Sequence, residues 1–224
     1  MNKKIFIIFN LIMFILCIFF LEAFNTKASS NIIYIDPGHG GMDGGCITSS
    51  GVHEKEIVLN ISFYTKEYLE LNGYSVLMTR NGDYDLAGLN ARNRKREDIY
   101  KRVEMINSSE AILCVSIHAN SYPKVSEHGA QVFYSGSSIL NKMLAECIQQ
   151  NIIKYLNNTD RKVMEIKNKY LLDNINKNSC IVEVGFLTNP DEGKRLENKE
   201  YQKIMGYVIG SGILEYLSQN SINI

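Results

Sequence analysis

The sequence carries no excess of charge of either sign. Its 24 Lys and Arg balance 24 Asp and Glu, giving a formal net charge of zero, so the basic footprint of a nucleic-acid-binding protein is missing. No nucleic acid is expected as a partner. Proline is scarce, with three in 224 residues. From Asn31 onward no repeat, low-complexity tract or linker-like stretch divides the chain. At 45% hydrophobic residues, there is enough apolar material for one ordinary core and little for a second.

Thiolate metal chemistry is also excluded by spacing. Cys17, Cys46, Cys114, Cys147 and Cys180 lie too far apart in sequence for the paired cysteines of a thiolate zinc site. Without Cys17 an even number is left, which could pair in an oxidising compartment. However, Cys114 and Cys180 sit in apolar strand-like runs, and Cys147 falls on the apolar side of a helical pattern. Buried free thiols are the expectation.

One long hydrophobic run is present, at the amino terminus. A basic start, Met1-Asn2-Lys3-Lys4, precedes Ile5 to Leu21, which is apolar apart from Asn10. A more polar stretch then ends in Thr26-Lys27-Ala28, with small residues placed for cleavage after Ala28. Residues 1–28 therefore read as a signal peptide or, left uncut, a membrane anchor, since the run is close to the roughly 18–20 residues that span a bilayer. Either way residues 29–224 are expected to be exported, touching a membrane only if the leader is uncleaved. Cys17 lacks the preceding small residue of a lipoprotein site, which argues against lipidation.

Strand-like and helix-like segments alternate through the rest. Apolar runs at Asn31–Ile35, Tyr74–Arg80, Ala111–Ile117, Ala130–Tyr134 and Cys180–Val184 read as strands. Ala111–Ile117 is so continuously apolar that it fits a central parallel strand covered on both faces. Glu54–Leu71 reads as a helix with Ile57, Ile61, Tyr64, Tyr68 and Leu71 inward, stopped by Asn72-Gly73. A polar loop over Asn81–Asp98 leads into a helix carrying Ile99, Val103 and Ile106 inward, and further helices are expected over Ile139–Leu156 and Tyr201–Leu217. Within the polar 157–178 stretch, Lys169–Leu172 reads as a short edge strand. This alternation predicts a single three-layer α/β domain.

The chemistry concentrates at three places. Asp36-Pro37-Gly38-His39-Gly40-Gly41 follows one strand and Ser116-Ile117-His118-Ala119-Asn120 ends another, so His39 and His118 are both offered at the carboxyl edge of a sheet, where ligands of open α/β sheets bind. Glu54 heads the buried face of a helix, three residues before Ile57. Two imidazoles and one carboxylate match a catalytic zinc site that keeps a position open. Glu183, flanked by Ile181, Val182, Val184 and Phe186, is costly to bury without a partner. Desolvation raises the pKa of such an acid and suits it to proton transfer; a structural ion pair is the alternative. Asp36 is expected to orient His39 through the free ring nitrogen, or simply to end the strand in an Asp-Pro-Gly turn. Asn120 is a candidate to bind substrate or a developing oxyanion, or to hold its loop. His53 and His128 are weaker ligand candidates.

At these residues the sequence resembles the zinc-dependent N-acetylmuramoyl-L-alanine amidases of bacterial cell walls. The matching pieces are Asp36 to Gly41 with Asp43-Gly44-Gly45, Glu54 to Ile57, Ser116 to Asn120, and Val182 to Asn189. The resemblance implies a mixed, mostly parallel sheet of about six strands flanked by helices, zinc held by His39, Glu54 and His118, and Glu183 as the catalytic acid. It implies peptidoglycan as substrate, cut between the lactyl group of muramic acid and L-alanine. Arg96 to Asn107 and Tyr170 to Asp173 extend the likeness to sporulation members of the family, implying a role in spore cortex synthesis before muramic-δ-lactam formation. Cys46 departs from the small residue usual at its position. With no wall-binding module appended, an activating or targeting protein partner is expected. Other readings are a catalytically silent peptidoglycan-binding protein of this fold, or a zinc carboxypeptidase or deacetylase acting on the same polymer.

Overall fold

The apolar runs assemble into a six-stranded sheet. The structure is a computed structural model and describes Met13 and residues 31–221; apart from Met13, the expected leader lies outside the described residues. The strands are β1 (Ile32–Pro37), β2 (Ser75–Met78), β3 (Leu113–Asn120), β4 (Gln131–Tyr134), β5 (Met164–Glu165) and β6 (Asn178–Phe186). Their order across the sheet is β2-β1-β3-β6-β4-β5. β1 is parallel to β2 and β3, and β3 to β6, whereas β4 runs antiparallel to β6 with β5 parallel to it. Buried on both faces, β3 and β6 carry the near-continuous apolar sequence expected of central strands.

Helices cover both faces. α1 (Glu54–Leu71), α3 (Ile139–Leu156) and α6 (Lys199–Ser221) pack together over one face, α6 lying against both others. The larger core lies beneath them, built on Ile33, Ile35, Val115, Ile117, Val182 and Val184 from the sheet. On the opposite face α2 (Arg94–Ser108) meets the short α4 (Tyr170–Asn174). Their smaller core joins Tyr34, Cys114, Ile106 and Ala111, with Leu171 and Ile175 packed against it. The three layers and the mostly parallel sheet are as the sequence predicts.

Three local details differ from expectation. In α1 the buried stripe runs Ile57, Ile61, Thr65, Leu69, with Val58 beside it, while Leu71 is 74% exposed. Steps of four residues each advance about 40° around a helix of 3.6 residues per turn, so the stripe drifts away from Leu71. Lys169–Leu172 forms no strand: Tyr170–Asn174 is α4, and the edge strand is Met164–Glu165. Adjacent Leu171 and Leu172 both turn inward, with Ile175 one turn after Leu171, which a helix permits and strand alternation does not. Finally, an extra helix, α5 (Pro190–Glu197), precedes α6. It is capped by Asn189, which accepts from the Asp191 and Glu192 N–H groups, with Pro190 in the first turn.

Cys46, Cys114, Cys147 and Cys180 are all free thiols, three of them buried. Burial pushes the Cys147 thiol up to about 11, so it stays protonated and unreactive.

Candidate metal centre and active-site cleft

β1 ends at Pro37, and the chain turns over the sheet edge through Gly38 and His39. His39 adopts a left-handed backbone, φ 59°, uncommon for a residue other than glycine. Two buried arginines hold that turn from below. Arg80, just after β2, donates to the carbonyl oxygens of Pro37 (3.1 Å), Gly38 (2.6 Å) and Lys55 (2.9 Å). Arg102, on α2, donates to the carbonyl oxygens of Pro37 (2.6 Å) and His39 (2.5 Å). The carbonyls of the ligand loop thus have charged donors where no sheet neighbour reaches them.

Asp36 closes this lower cluster. It is 1% exposed and accepts from Arg102 (2.7 Å), Thr79 Oγ1 (2.6 Å) and Ser116 Oγ (2.6 Å). Burial alone would raise its pKa, but Arg102 and the two hydroxyls hold the carboxyl at about 2. Asp98 receives the Arg102 Nε–H at 2.7 Å. Asp36 therefore does not orient His39 directly, contrary to expectation: all its bonds lead to Arg102, Thr79 and Ser116. The carboxylate at the His39 ring is Asp43, whose Oδ2 lies 2.9 Å from Nδ1. That approach is close but poorly aligned for a hydrogen bond, so ring and carboxylate meet as an ion contact. Asp43 is itself fixed by the Gly45 N–H.

Above the turn, His39, Glu54 and His118 converge. His39 Nε2 and His118 Nδ1 each lie 3.1 Å from Glu54 Oε1, and one donor atom from each residue falls within 4.8 Å of the others. Glu54 is 2% exposed at the first turn of α1; its Oε1 also accepts from the Ala119 N–H and its Oε2 from the Cys46 N–H. The glycines around the cluster are sterically required. A Cβ on Gly38 would come within 2.2 Å of the His118 ring, and one on Gly45 (φ +67°) within 2.5 Å of Glu54 Oε2.

The electrostatics of this cluster point to a cation. Burial disfavours a charged His39, yet Glu54 and Asp43 outweigh it and raise its pKa. Glu54 is likewise held low by both imidazoles against the effect of burial. A buried carboxylate facing two ring nitrogens needs positive charge between them, from protons or from a metal. Two imidazole nitrogens and one carboxylate oxygen are a donor set that zinc accepts at catalytic sites, so the residues present fit such an ion.

His118 and Glu183 are direct register partners on β3 and β6, which puts Glu183 beside the cluster. β3 runs on through His118 to Asn120 instead of stopping at Ile117. Glu183 is half-buried, but its Oε2 is fully shielded and has no hydrogen-bond partner. Burial raises its pKa, partly countered by His118. No basic side chain forms an ion pair with it among the described residues, so the alternative of a structural salt bridge is not what the geometry shows.

Together these groups line a cleft of about 540 Å³, within the size range of small-molecule sites. Asn120 lines it too, its Oδ1 accepting from the Ser121 N–H. The other two histidines lie outside the cluster. The His53 ring packs against Gly44, and His128 Nδ1 meets the Ser126 carbonyl. Asp43, Arg80 and Arg102 are the site residues that the sequence reading does not single out. Asp43 stood in a quoted motif without a role. Arg80 ends a strand-like run and Arg102 lies in a quoted motif, but no local pattern signals that either guanidinium is buried.

Comparison with known proteins agrees with this geometry. A family model described as N-acetylmuramoyl-L-alanine amidase matches residues 33–215. The chain is 40% identical to the germination-specific N-acetylmuramoyl-L-alanine amidase of Bacillus subtilis, the match covering 88% of this chain and 84% of that one. Among solved structures, it is similar to the CwlD amidase of Clostridioides difficile in complex with the GerS lipoprotein, at 34% identity and TM-score 0.81, covering 84% of this chain and 98% of that one. The amidase AmiC2 of Nostoc punctiforme superposes with TM-score 0.74 at 30% identity, over 85% of this chain and 99% of that one. Sheet, cleft and sequence together place this chain, an enzyme, in the N-acetylmuramoyl-L-alanine amidase family.

Proposed function

We propose that the chain cuts the lactyl–L-alanine amide of peptidoglycan at a zinc site formed by His39, Glu54 and His118, with Glu183 moving the proton. The observation that carries this reading is the shielded, unpartnered carboxyl of Glu183 held opposite His118. His39, Glu54 and His118 would hold the zinc ion, which would supply Lewis acidity toward the scissile carbonyl and the attacking water. Glu183, its pKa raised by burial, takes a proton from the attacking water and passes it to the alanine nitrogen as the C–N bond breaks. The products are a lactyl carboxylate on the glycan and a stem peptide with a free amino terminus. Asp43 fixes the His39 ring through Nδ1, as carboxylates beside metal-bound histidines do. Asn120 binds the substrate carbonyl from the cleft wall.

The 40%-identical germination-specific relative supports a role in spore cortex synthesis, before muramic-δ-lactam formation. The C. difficile neighbour is a complex with a lipoprotein, which supports an activating or targeting partner for this chain as well. The amino-terminal run supports export to the cell wall or spore envelope by a leader ending near Ala28.

The test is to incubate the purified protein and Glu183→Gln with peptidoglycan and zinc, and to identify soluble products by mass spectrometry. Stem peptides beginning with L-alanine are expected, falling by roughly 10²–10⁴-fold in the variant. A variant that binds zinc and keeps full activity would remove Glu183 from the mechanism. Release of acetate or single amino acids would replace the amidase reading with a deacetylase or carboxypeptidase.

A further inference from the structure

The cleft has an unequal distribution of charge that the hydrolytic residues do not use. One wall is built from the first turn of α2 and the start of α4, and it presents Lys95 and Lys169. The carboxylates on that side are already engaged: Asp98 by Arg102 and the Leu86 N–H, Asp43 by His39 and the Gly45 N–H. Lys169 has no carboxylate at ion-pair distance among the described residues. Lys95 is 68% exposed and reaches only to 3.7 Å from Asp43. In a protein with zero net charge, this wall holds two cations with little to neutralise them.

Lys169 stands on a fixed platform. Asn168 before it takes a left-handed backbone, φ 60°, which turns the chain into α4. Leu172 is buried and Leu171 packs into the small core. The Tyr170 ring meets Tyr100 of α2 at a 44° tilt, with centroids 4.5 Å apart. Ile99 and Tyr170 line a shallow depression with Lys95 that continues the cleft along this wall. These contacts hold the backbone at Lys169, while its side chain stands exposed at the cleft wall.

We propose that Lys95 and Lys169 form a carboxylate-binding subsite that takes the acidic stem peptide beyond the scissile amide. The proposal rests on the amidase reading above and deepens it. The side of the bond follows from the cleft: on the amidase reading Glu183 serves the departing nitrogen, so the peptide leaves along the Glu183 side, and Lys169 and Tyr170 line the same cleft as Glu183. Stem peptides carry carboxyl groups outside the scissile bond, and these are the anions that such a wall selects. The glycan's lactyl and sugar groups before cleavage are neutral and gain nothing from it.

Two soluble muramoyl peptides test this, identical except that the carboxyl group of the residue after L-alanine is free in one and a carboxamide in the other. The zinc-loaded full chain is assayed on both, and the ratio of kcat/KM, acid over amide, is the readout. A ratio of about 10 is expected, carried in KM. It falls about fivefold in Lys169→Met and in Lys95→Met, the size of a partly exposed ion pair. It is retained in Lys169→Arg and reversed in Lys169→Glu, and it shrinks as salt rises. A wild-type ratio near one, or a ratio untouched by both methionine substitutions together, overturns the subsite. Equal losses on both substrates in Lys169→Met would instead assign Lys169 to Glu183 and overturn it too. Cleavage of neither substrate by zinc-loaded wild type, with peptidoglycan also left intact, would overturn the amidase reading and the subsite with it.

Discussion

Two ionic clusters lie on either side of the Pro37–His39 turn, and they are built on opposite principles. Below it, Asp36, Asp98, Arg80 and Arg102 sum to zero charge, and Asp36 is bonded to a guanidinium and two hydroxyls at once. Above it, the carboxylates of Glu54, Asp43 and Glu183 crowd around two imidazoles, with one oxygen of Glu183 shielded and unbonded. The lower cluster is complete without any added group. The upper one is a donor set whose chemistry fits a cation. The difference separates rigidity from reactivity: a satisfied network fixes the backbone on which an unsatisfied one is mounted.

Substitutions sharpen that contrast. The largest effect is expected for Arg102→Met, which leaves Asp36 buried without its cation and frees the carbonyl of His39. A loss of roughly 3–5 kcal/mol in unfolding free energy is expected, read from denaturant melts; a loss below about 1 kcal/mol would show that the lower cluster does not hold the fold.

Acid should weaken the lower cluster next. The folded-state pKa of Asp36 is about 2 against an ordinary 3.8, so its stabilisation is present above pH 4 and is lost as pH falls through about 2. The shift corresponds to about 2 kcal/mol. Urea midpoints measured between pH 5 and pH 2 should fall accordingly, and a flat profile in that window would contradict the assignment.

Smaller again is Asp43→Asn, which leaves the fold intact but removes the anion from His39 Nδ1. Zinc affinity, measured by chelator competition, should weaken about tenfold, or 1.4 kcal/mol. Unchanged affinity would mean that Asp43 does not position the ring. The smallest change belongs to Glu183→Gln in stability: with no partner to lose, its unfolding midpoint should stay level or rise slightly. A marked drop would reveal a structural partner for that carboxylate.

Much of this was legible before any coordinates. The strands and α1 declare themselves through apolar runs and spacing; Glu54 and Glu183 are polar residues set where a helix or strand face should be apolar, and His39 and His118 follow directly on apolar runs. That contradiction is a local signal, and a sequence displays it. The roles of Asp43, Arg80 and Arg102 are not local. The arginines' partners lie across the fold, Arg102 reaching back to Asp36 and His39, and nothing in the local sequence says which arginine turns inward. The choice between Asp36 and Asp43 at the His39 ring depended on the same information. A strand-end aspartate next to a histidine turn is the obvious candidate, but Asp36 turns toward the arginine while Asp43, four residues past His39, meets the ring. For α4, the four residues Lys169–Leu172 are too short a span to show whether Leu171 and Leu172 alternate or share a face.

The strand order has a consequence in time. β6 is inserted between β3 and β4, so the middle of the sheet is the last strand to be supplied as the chain is made. Until residues 178–186 arrive, β4 has no neighbour linking it to β3, and His118 has no carboxylate opposite it. A nascent or truncated chain ending before Asn178 thus has His39, Glu54 and His118 but neither a continuous sheet nor Glu183. The cleft is therefore complete only once nearly the whole domain exists, because its last wall is supplied by the central strand.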